Sequence, residues 1–468
     1  MKSAQKQASE RNMTRRRFIA TAGSGAAAFF IVPRAVLGGP GYVAPSDKLN
    51  IACVGVGGKG RSDIAAVSTE NIIALCDVDD RQMAATLAAA MKRDPAYGRR
   101  LKQTKKYRDF REMLQENSDS IDAVTVSVPD HSHAVIAMAA MKLNKHVFVQ
   151  KPLTRTVAEA RLLMRTARER NLVTQMGNQG HASEGARLIN EWIADGAIGA
   201  VREVHVWTNR PIWPQGIPRP SGSPPVPEEL DWNLWLGPAA FRPYHPAYVP
   251  FSWRGWWAFG SGALGDMGAH LFDQPYWALN LRYPTAIHAS STPFTEEAYP
   301  VASTVHYEFP ARGSQPPVNL TWYDGGIMPK RPELMEEGRR MGDWGGGVLF
   351  VGDEGMLMCS TYASNPRLVP EKLMRSYKRP RKTLPRSPGI HAEWIEAIKK
   401  GGKSTTDFDY SARLTETMLL GNVAIRLQSK NRRLLYDGEK GEFTNMPEAN
   451  RYLTDVWRPG WEPELMGS

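Results

Sequence analysis

Cysteine is scarce: three residues in 468, too few for a disulfide-built scaffold. There is no internal repeat. The longest apolar run, Ile19 to Leu37, is broken by Pro33 and Arg34 and makes a poor membrane-spanning helix. Neither disorder nor a polytopic membrane protein fits a chain that is 42% hydrophobic and 23% charged. Excess charge is also thin. The formal net charge is +11, but residues 1–47 hold seven basic against two acidic residues, a net of +5. The +6 left over for the remainder does not indicate nucleic acid. The one basic cluster, Lys378 to Lys382, has the make-up of a solvated loop.

What is present begins with an address. Thr14-Arg15-Arg16-Arg17-Phe18-Ile19-Ala20 precedes an Ala/Gly-rich apolar run. A basic stretch followed by a short apolar one is the layout of a signal peptide, and the paired arginines resemble a twin-arginine export signal. Residues 1–47 are therefore expected to engage the twin-arginine export machinery, giving an exported, periplasmic protein. Ala-x-Ala is only loosely approximated near Ala35, so an uncleaved membrane anchor stays open.

From Leu49 onward short apolar runs alternate with helical patterns. Leu49–Gly55, Ile72–Cys76, Ala123–Val128 and His146–Val149 read as buried strands; Arg81–Met91, Ala134–Leu143 and Thr156–Arg170 read as helices. That alternation predicts a doubly wound parallel sheet over residues 48–175. Beyond it, 201–207, Val301–Phe309 and Val318–Tyr323 read as strands of a second, mostly antiparallel sheet, and Ile390–Lys400 and Ser411–Gln428 as helices. The stretch Thr208–Gly255 has eleven prolines and fits neither element; its aromatic content predicts an ordered, functional excursion. The chain is thus expected to be α/β, with a second α+β domain over 176–468.

Gly55-Val56-Gly57-Gly58-Lys59-Gly60 fits G-x-G-x-x-G, directly after a strand and before a helix. Gly55 permits the tight turn, Gly57 and Gly58 let the backbone approach a pyrophosphate, and Gly60 lets the helix pack close. Asp77 ends the second strand 22 residues after Gly55, where an acid accepts from ribose hydroxyls and favours NAD over NADP. Cys53 and Cys76 lie inside these strands and read as packing.

The segment Val126–Leu153, VSVPDHSHAVIAMAAMKLNKHVFVQKPL, resembles the Gfo/Idh/MocA oxidoreductases, in which a strand, Pro and a helix-opening His lead to a strand and Glu-Lys-Pro. The resemblance extends through Gly265-Asp266-Met267-Gly268-Ala269-His270-Leu271-Phe272-Asp273 and the tail around Trp457–Trp461, and so covers nearly everything from Lys48. It implies a Rossmann domain plus a C-terminal domain with an open sheet that often forms a homo-oligomer interface. It also implies that Lys151 contacts the reacting oxygen and that Ser127, Pro129 and His133 lie at the cofactor. One departure stands out: Gln150 occupies the place of the usual Glu, and an amide favours a charged neighbouring lysine less than a carboxylate does.

Asp266, His270 and Asp273, spaced four and three apart, share one helix face. His270 is the candidate acid/base, because its unperturbed pKa lies near operating pH; Asp266 would orient it or bind a hydroxyl, and Asp273 would face substrate. Asp-x₃-His-x₂-Asp and Asp130-His131-Ser132-His133 each invite a metal reading; hydride transfer to NAD needs no metal, and none is expected. Gln179 and His181 are expected to line the same crevice, His181 as a weaker acid/base candidate. Eight tryptophans between 207 and 277 divide between core and a platform for sugar rings. The expected activity is hydride transfer between a tightly held NAD and a sugar or polyol. The alternative is a glycoside hydrolase acting by transient oxidation, elimination and re-reduction.

Overall fold

The computed structural model describes residues 44–462; the export signal expected at the N-terminus lies outside the described residues up to residue 43. Six short runs build the first sheet: β1 (Asn50–Val54), β2 (Asn71–Cys76), β3 (Lys105–Tyr107), β4 (Ala123–Val126), β5 (His146–Val149) and β6 (Thr174–Met176). All neighbours are parallel, in the order β3-β2-β1-β4-β5-β6. β1, β4 and β5 are buried almost end to end, because helices cover both faces and leave no polar side for alternation. The expected strands thus appear within a residue or two of their boundaries. Asp79 caps the helix Asp80–Arg93, and a Thr156/Glu159 capping box starts the helix Val157–Glu169.

The second sheet contains β7 (Val201–Thr208), β8 (Ala286–Ser291), β9 (Ser303–Phe309), β10 (Val318–Tyr323), β11 (Gly346–Gly352), β12 (Met356–Ser360), β13 (Arg367–Val369), β14 (Leu434–Asp437) and β15 (Glu442–Phe443). Its order is β13-β12-β11-β7-β10-β9-β8-β14-β15, antiparallel throughout except for β7 with β10. β9 alternates strictly: Val305, Tyr307 and Phe309 enter the core, where the helix Phe408–Leu427 lies, and Thr304, His306 and Glu308 turn away.

Two features depart from the linear reading. The helix Ile390–Lys400 returns to the first half, where Ile390, Trp394 and Ile395 share a core with Ile51, Cys53 and Phe148. The excursion over 208–255 is ordered around an apolar cluster of its own, including Trp232, Trp235, Tyr248, Trp253, Trp256 and Phe259. Seven of the eight tryptophans are buried and only Trp277 is partly exposed, so the expected sugar platform is instead mostly packing. Among the described residues no helix is long and apolar enough to cross a membrane.

Candidate active site

The turn after β1 carries the nucleotide loop. Gly55 has φ +79°, and a Cβ there would lie 2.3 Å from the Ser127 carbonyl oxygen. A Cβ on Gly60 would lie 2.0 Å from Gly55 O, so this glycine sets the close approach of the helix Gly58–Ala66. Gly58, at φ +49°, has nothing around its Cβ position and borders a cavity of about 430 Å³. Gly55, Gly57, Asp77, Ser127, Pro129, Gln150 and Lys151 line the same cavity. Asp77 accepts from the amides of Val56 (2.8 Å) and Asp79 (3.0 Å), while burial pushes its pKa up to about 6 against those bonds. A glycine floor, an acid at the end of β2 and a helix N-terminus fit a dinucleotide.

The far wall comes from two stretches distant in sequence. Leu230, Trp235, Pro250 and Phe251 from the excursion, and Trp461 from the tail, close over the cavity. The excursion is tied to the end of β2 by Asp231 N to Val78 O (2.9 Å) and Asp80 N to Glu229 O (3.0 Å). The tail is tied by Arg111, whose guanidinium stacks 4.5 Å from the Trp461 ring centroid. The aromatic content of the excursion predicts order there, but nothing along the chain places it over the nucleotide loop.

Lys151 stands at the end of β5. Its ammonium donates to Asp266 Oδ1 (2.7 Å) and to Asp266 O (2.9 Å), which leaves one of its three N–H groups uncommitted by these bonds. Arg254 donates to the same Oδ1 at 3.3 Å while stacking on Trp253. Burial alone would raise the Asp266 pKa; the charges of Lys151 and Arg254 outweigh it and hold the carboxyl at about 2. His270 follows one turn later on the helix Gly262–Leu271. It is buried, its Nδ1 has no partner, and Tyr362 meets it edge-on at 4.7 Å between ring centroids. Burial, and then the Lys151 charge, push its pKa well below the usual histidine value. The expectation that His270 keeps a pKa near operating pH is corrected: burial and the Lys151 charge both favour the neutral ring.

Other expected contacts lie elsewhere. Both His133 ring nitrogens face carbonyl oxygens, of Pro152 (2.8 Å) and Val128 (2.9 Å), so it holds the Lys151-Pro152 turn from behind instead of touching the cavity. His131 is likewise engaged by the carbonyls of Trp235 (2.9 Å) and Phe259 (3.2 Å), and burial lowers its pKa to about 3. Those bonds occupy the nitrogens that a metal reading of this motif would need. Asp273 opens a separate short helix, Asp273–Ala278, and accepts from His181 Nδ1 (2.9 Å) and the Tyr410 hydroxyl (2.7 Å). This buried pair is stacked on Trp277 and, like Asp266 and His270, is not among the residues lining the cavity. Gln179 is exposed and does not line the cavity either.

A further residue stands out. Asp63, 0% exposed, accepts from Lys59 Nζ (2.8 Å), Ser127 Oγ (2.8 Å), Gln150 Nε2 (2.8 Å) and His391 Nε2 (3.1 Å). Burial would raise its pKa, but the His391 hydrogen bond and the Lys59 charge prevail and lower it. Gln150, standing where the family pattern has a carboxylate, thus donates to a buried carboxylate on the helix that follows the glycine loop. Four residues after Lys59, an aspartate on this short helix gives no sequence signal beyond an ordinary i,i+4 ion pair.

Comparison with known proteins bears on this geometry. A family model described as "Oxidoreductase family, NAD-binding Rossmann fold" matches residues 49–178, and its partner, "C-terminal alpha/beta domain", matches 218–311. The Gfo/Idh/MocA oxidoreductases are thus the family that both stretches match. Among curated relatives, levoglucosan dehydrogenase of Pseudarthrobacter phenanthrenivorans is 27% identical over 166 residues, 35% of this chain and 34% of that protein. A glycosyl hydrolase family 109 protein of Shewanella pealeana is 28% identical over 200 residues, 38% of this chain and 42% of that one. The matched part thus spans less than half the length of either relative. The crystal structure of aldose-aldose oxidoreductase from Caulobacter crescentus shares the fold, with TM-score 0.56 and 17% identity, over 83% of this chain and 100% of that one.

Proposed function

We propose that this chain is an exported oxidoreductase that transfers hydride between a tightly held NAD and a hydroxyl or carbonyl carbon of a sugar or polyol. The observation that carries the reading is Lys151, anchored on Asp266 beside the glycine-loop cavity with a donor to spare. That donor meets the reacting oxygen and stabilises the charge it develops. His270, neutral and one turn from Asp266, takes the hydroxyl proton in the oxidising direction and returns it in the other. Asp266 holds the lysine in place by two hydrogen bonds without itself titrating near neutral pH. NAD, when bound, supplies the hydride acceptor or donor.

The wall formed by the excursion and the tail supports slow cofactor exchange. This suits a protein carrying an export signal, since free NAD is scarce outside the cytoplasm and the bound cofactor must be regenerated in place. The resemblance to a protein named as a glycosyl hydrolase supports the second reading, in which the same residues oxidise a glycoside transiently, allow elimination and re-reduce the product. The purified protein is denatured and its released cofactor identified by mass spectrometry; absence of a nicotinamide dinucleotide refutes both readings. Incubation with aryl glycosides without added NAD then separates them: aglycone release marks the hydrolase, and its absence together with sugar-to-sugar redox exchange marks the oxidoreductase.

A further inference from the structure

A second cavity, of about 240 Å³, shares no lining residue with the first. Its walls come from the start of the helix Val157–Glu169, the last turns of the helix Phe408–Leu427, and the tail from Arg451 to Asp455. Three guanidiniums line it, Arg155, Arg426 and Arg451, against a single carboxylate, Asp455. That carboxylate is committed to Arg155, which also donates to Trp257 O at 2.9 Å. Arg426 has no hydrogen bond or ion pair among the described residues. It is held between two rings, 3.9 Å from the Trp257 centroid and 5.2 Å from that of Tyr452. Arg451 stacks on the other side of this corner, 4.6 Å from the Tyr452 centroid. Burial, reinforced by the charges of Arg155 and Arg451, depresses the Arg426 pKa, as expected for a cation that lacks a counter-ion.

The polar groups left over are complementary. Arg155 Nε is buried without an acceptor, and Asn422, only 6% exposed, donates to Ser261 O (2.9 Å) while its Oδ1 has no donor. Buried groups of this kind ordinarily have partners. The C-terminal end of the helix Phe408–Leu427 contributes about half a negative charge, which offsets only part of the net +2 of the side chains. We propose that this cavity is a binding site for a small oxyanion that also carries a hydroxyl: the guanidiniums take the charged oxygens, and Asn422 Oδ1 accepts the hydroxyl hydrogen. Guanidinium forks match the planar or tetrahedral geometry of such oxygens. The aromatic faces of Trp257 and Tyr299 enclose the rest. Hydrogenphosphate meets the description; sulfate has the charge and shape without the hydroxyl.

The test uses the full chain saturated with NAD, so that phosphate cannot enter the dinucleotide cavity. Isothermal titration at constant ionic strength is run with sodium phosphate and with sodium sulfate. Saturable one-site phosphate binding is expected, with sulfate at least about fivefold weaker. Arg426→Ala and Arg451→Ala should each weaken phosphate at least about tenfold while NAD retention stays as in the parent. Arg451 is exposed and makes no ion pair among the described residues, so its variant carries the test even if Arg426→Ala fails to fold. No saturable phosphate binding, or binding that survives Arg451→Ala unchanged, overturns the site. Equal sulfate and phosphate affinity overturns the part assigned to Asn422.

Discussion

Gln150→Glu restores the residue that the family pattern carries, and on that ground alone it should be neutral or stabilising. The structure forecasts the opposite. Gln150 Nε2 donates to Asp63 Oδ2 at 2.8 Å in a fully buried setting, so the substitution sets two carboxylates against each other where a hydrogen bond stood. Two such groups cannot both ionise in contact; one must take a proton, and its pKa rises. Losing a charge-assisted bond, at ~1.5–3 kcal/mol, and gaining that repulsion gives an expected cost of about 3 kcal/mol at pH 8. Asp63→Asn alone should cost less, about 1–2 kcal/mol: the Gln150 amide can turn over to accept from the new amide, and the Lys59 ammonium left behind is exposed. The double variant returns one carboxylate and one amide to the pair with their places exchanged, and should recover most of the loss. The coupling energy is expected to be at least about 2 kcal/mol, well outside the ~0.5 kcal/mol scatter of independent sites. The pH dependence adds a signature. In Gln150→Glu the shared proton gives a folded-state pKa above the unfolded one, so its deficit against the parent is smallest in acid and grows as pH rises through that pKa. Chemical denaturation of the four proteins at pH 5 and pH 8 reads all of this. Additive single effects, or a Gln150→Glu variant as stable as its parent at pH 8, would refute the coupling assigned to the Gln150–Asp63 bond.

Further outcomes follow from the same geometry. Lys151→Ala and His270→Ala should retain NAD and fold normally but lose turnover by at least about a hundredfold, and Lys151→Arg should not rescue; steady-state kinetics with the sugar identified by screening checks this. Because His270 is held neutral, the parent's kcat should show no loss near pH 6.5 as pH falls, and a fall centred there would refute its assignment. NAD affinity should weaken as pH drops through about 6, where Asp77 takes up its proton and accepts ribose hydroxyls less well; Asp77→Asn should bind NAD more weakly, discriminate less against NADP and lose that pH dependence. Replacing Arg15 and Arg16 with Lys should strand the protein in the cytoplasm, seen by fractionation, and normal export would refute the signal.

The first half of the molecule was legible in the sequence because its signals are local. A strand buried on both faces reads as an apolar run, a turn needing φ +79° demands Gly55, and the helix spacing of Asp266 and His270 sets them one turn apart whatever surrounds them. Order along the chain also announced Asp77, at the end of a strand, whereas Lys151 was legible only through the family pattern around Lys151-Pro152. Tertiary structure decided what depends on residues distant in sequence. Asp63 meets His391 across 328 positions, Tyr362 reaches His270 from another sheet corner, and Trp461 closes a cavity whose floor is Gly58. Protonation belongs to the same class: His270 has an ordinary histidine's chemistry in the sequence and a neutral ring only in the fold, because desolvation and the Lys151 charge act through space. The sequence names which groups exist and how neighbours along one element face; burial and charge are sums over everything packed around a group, and only folding brings those terms together.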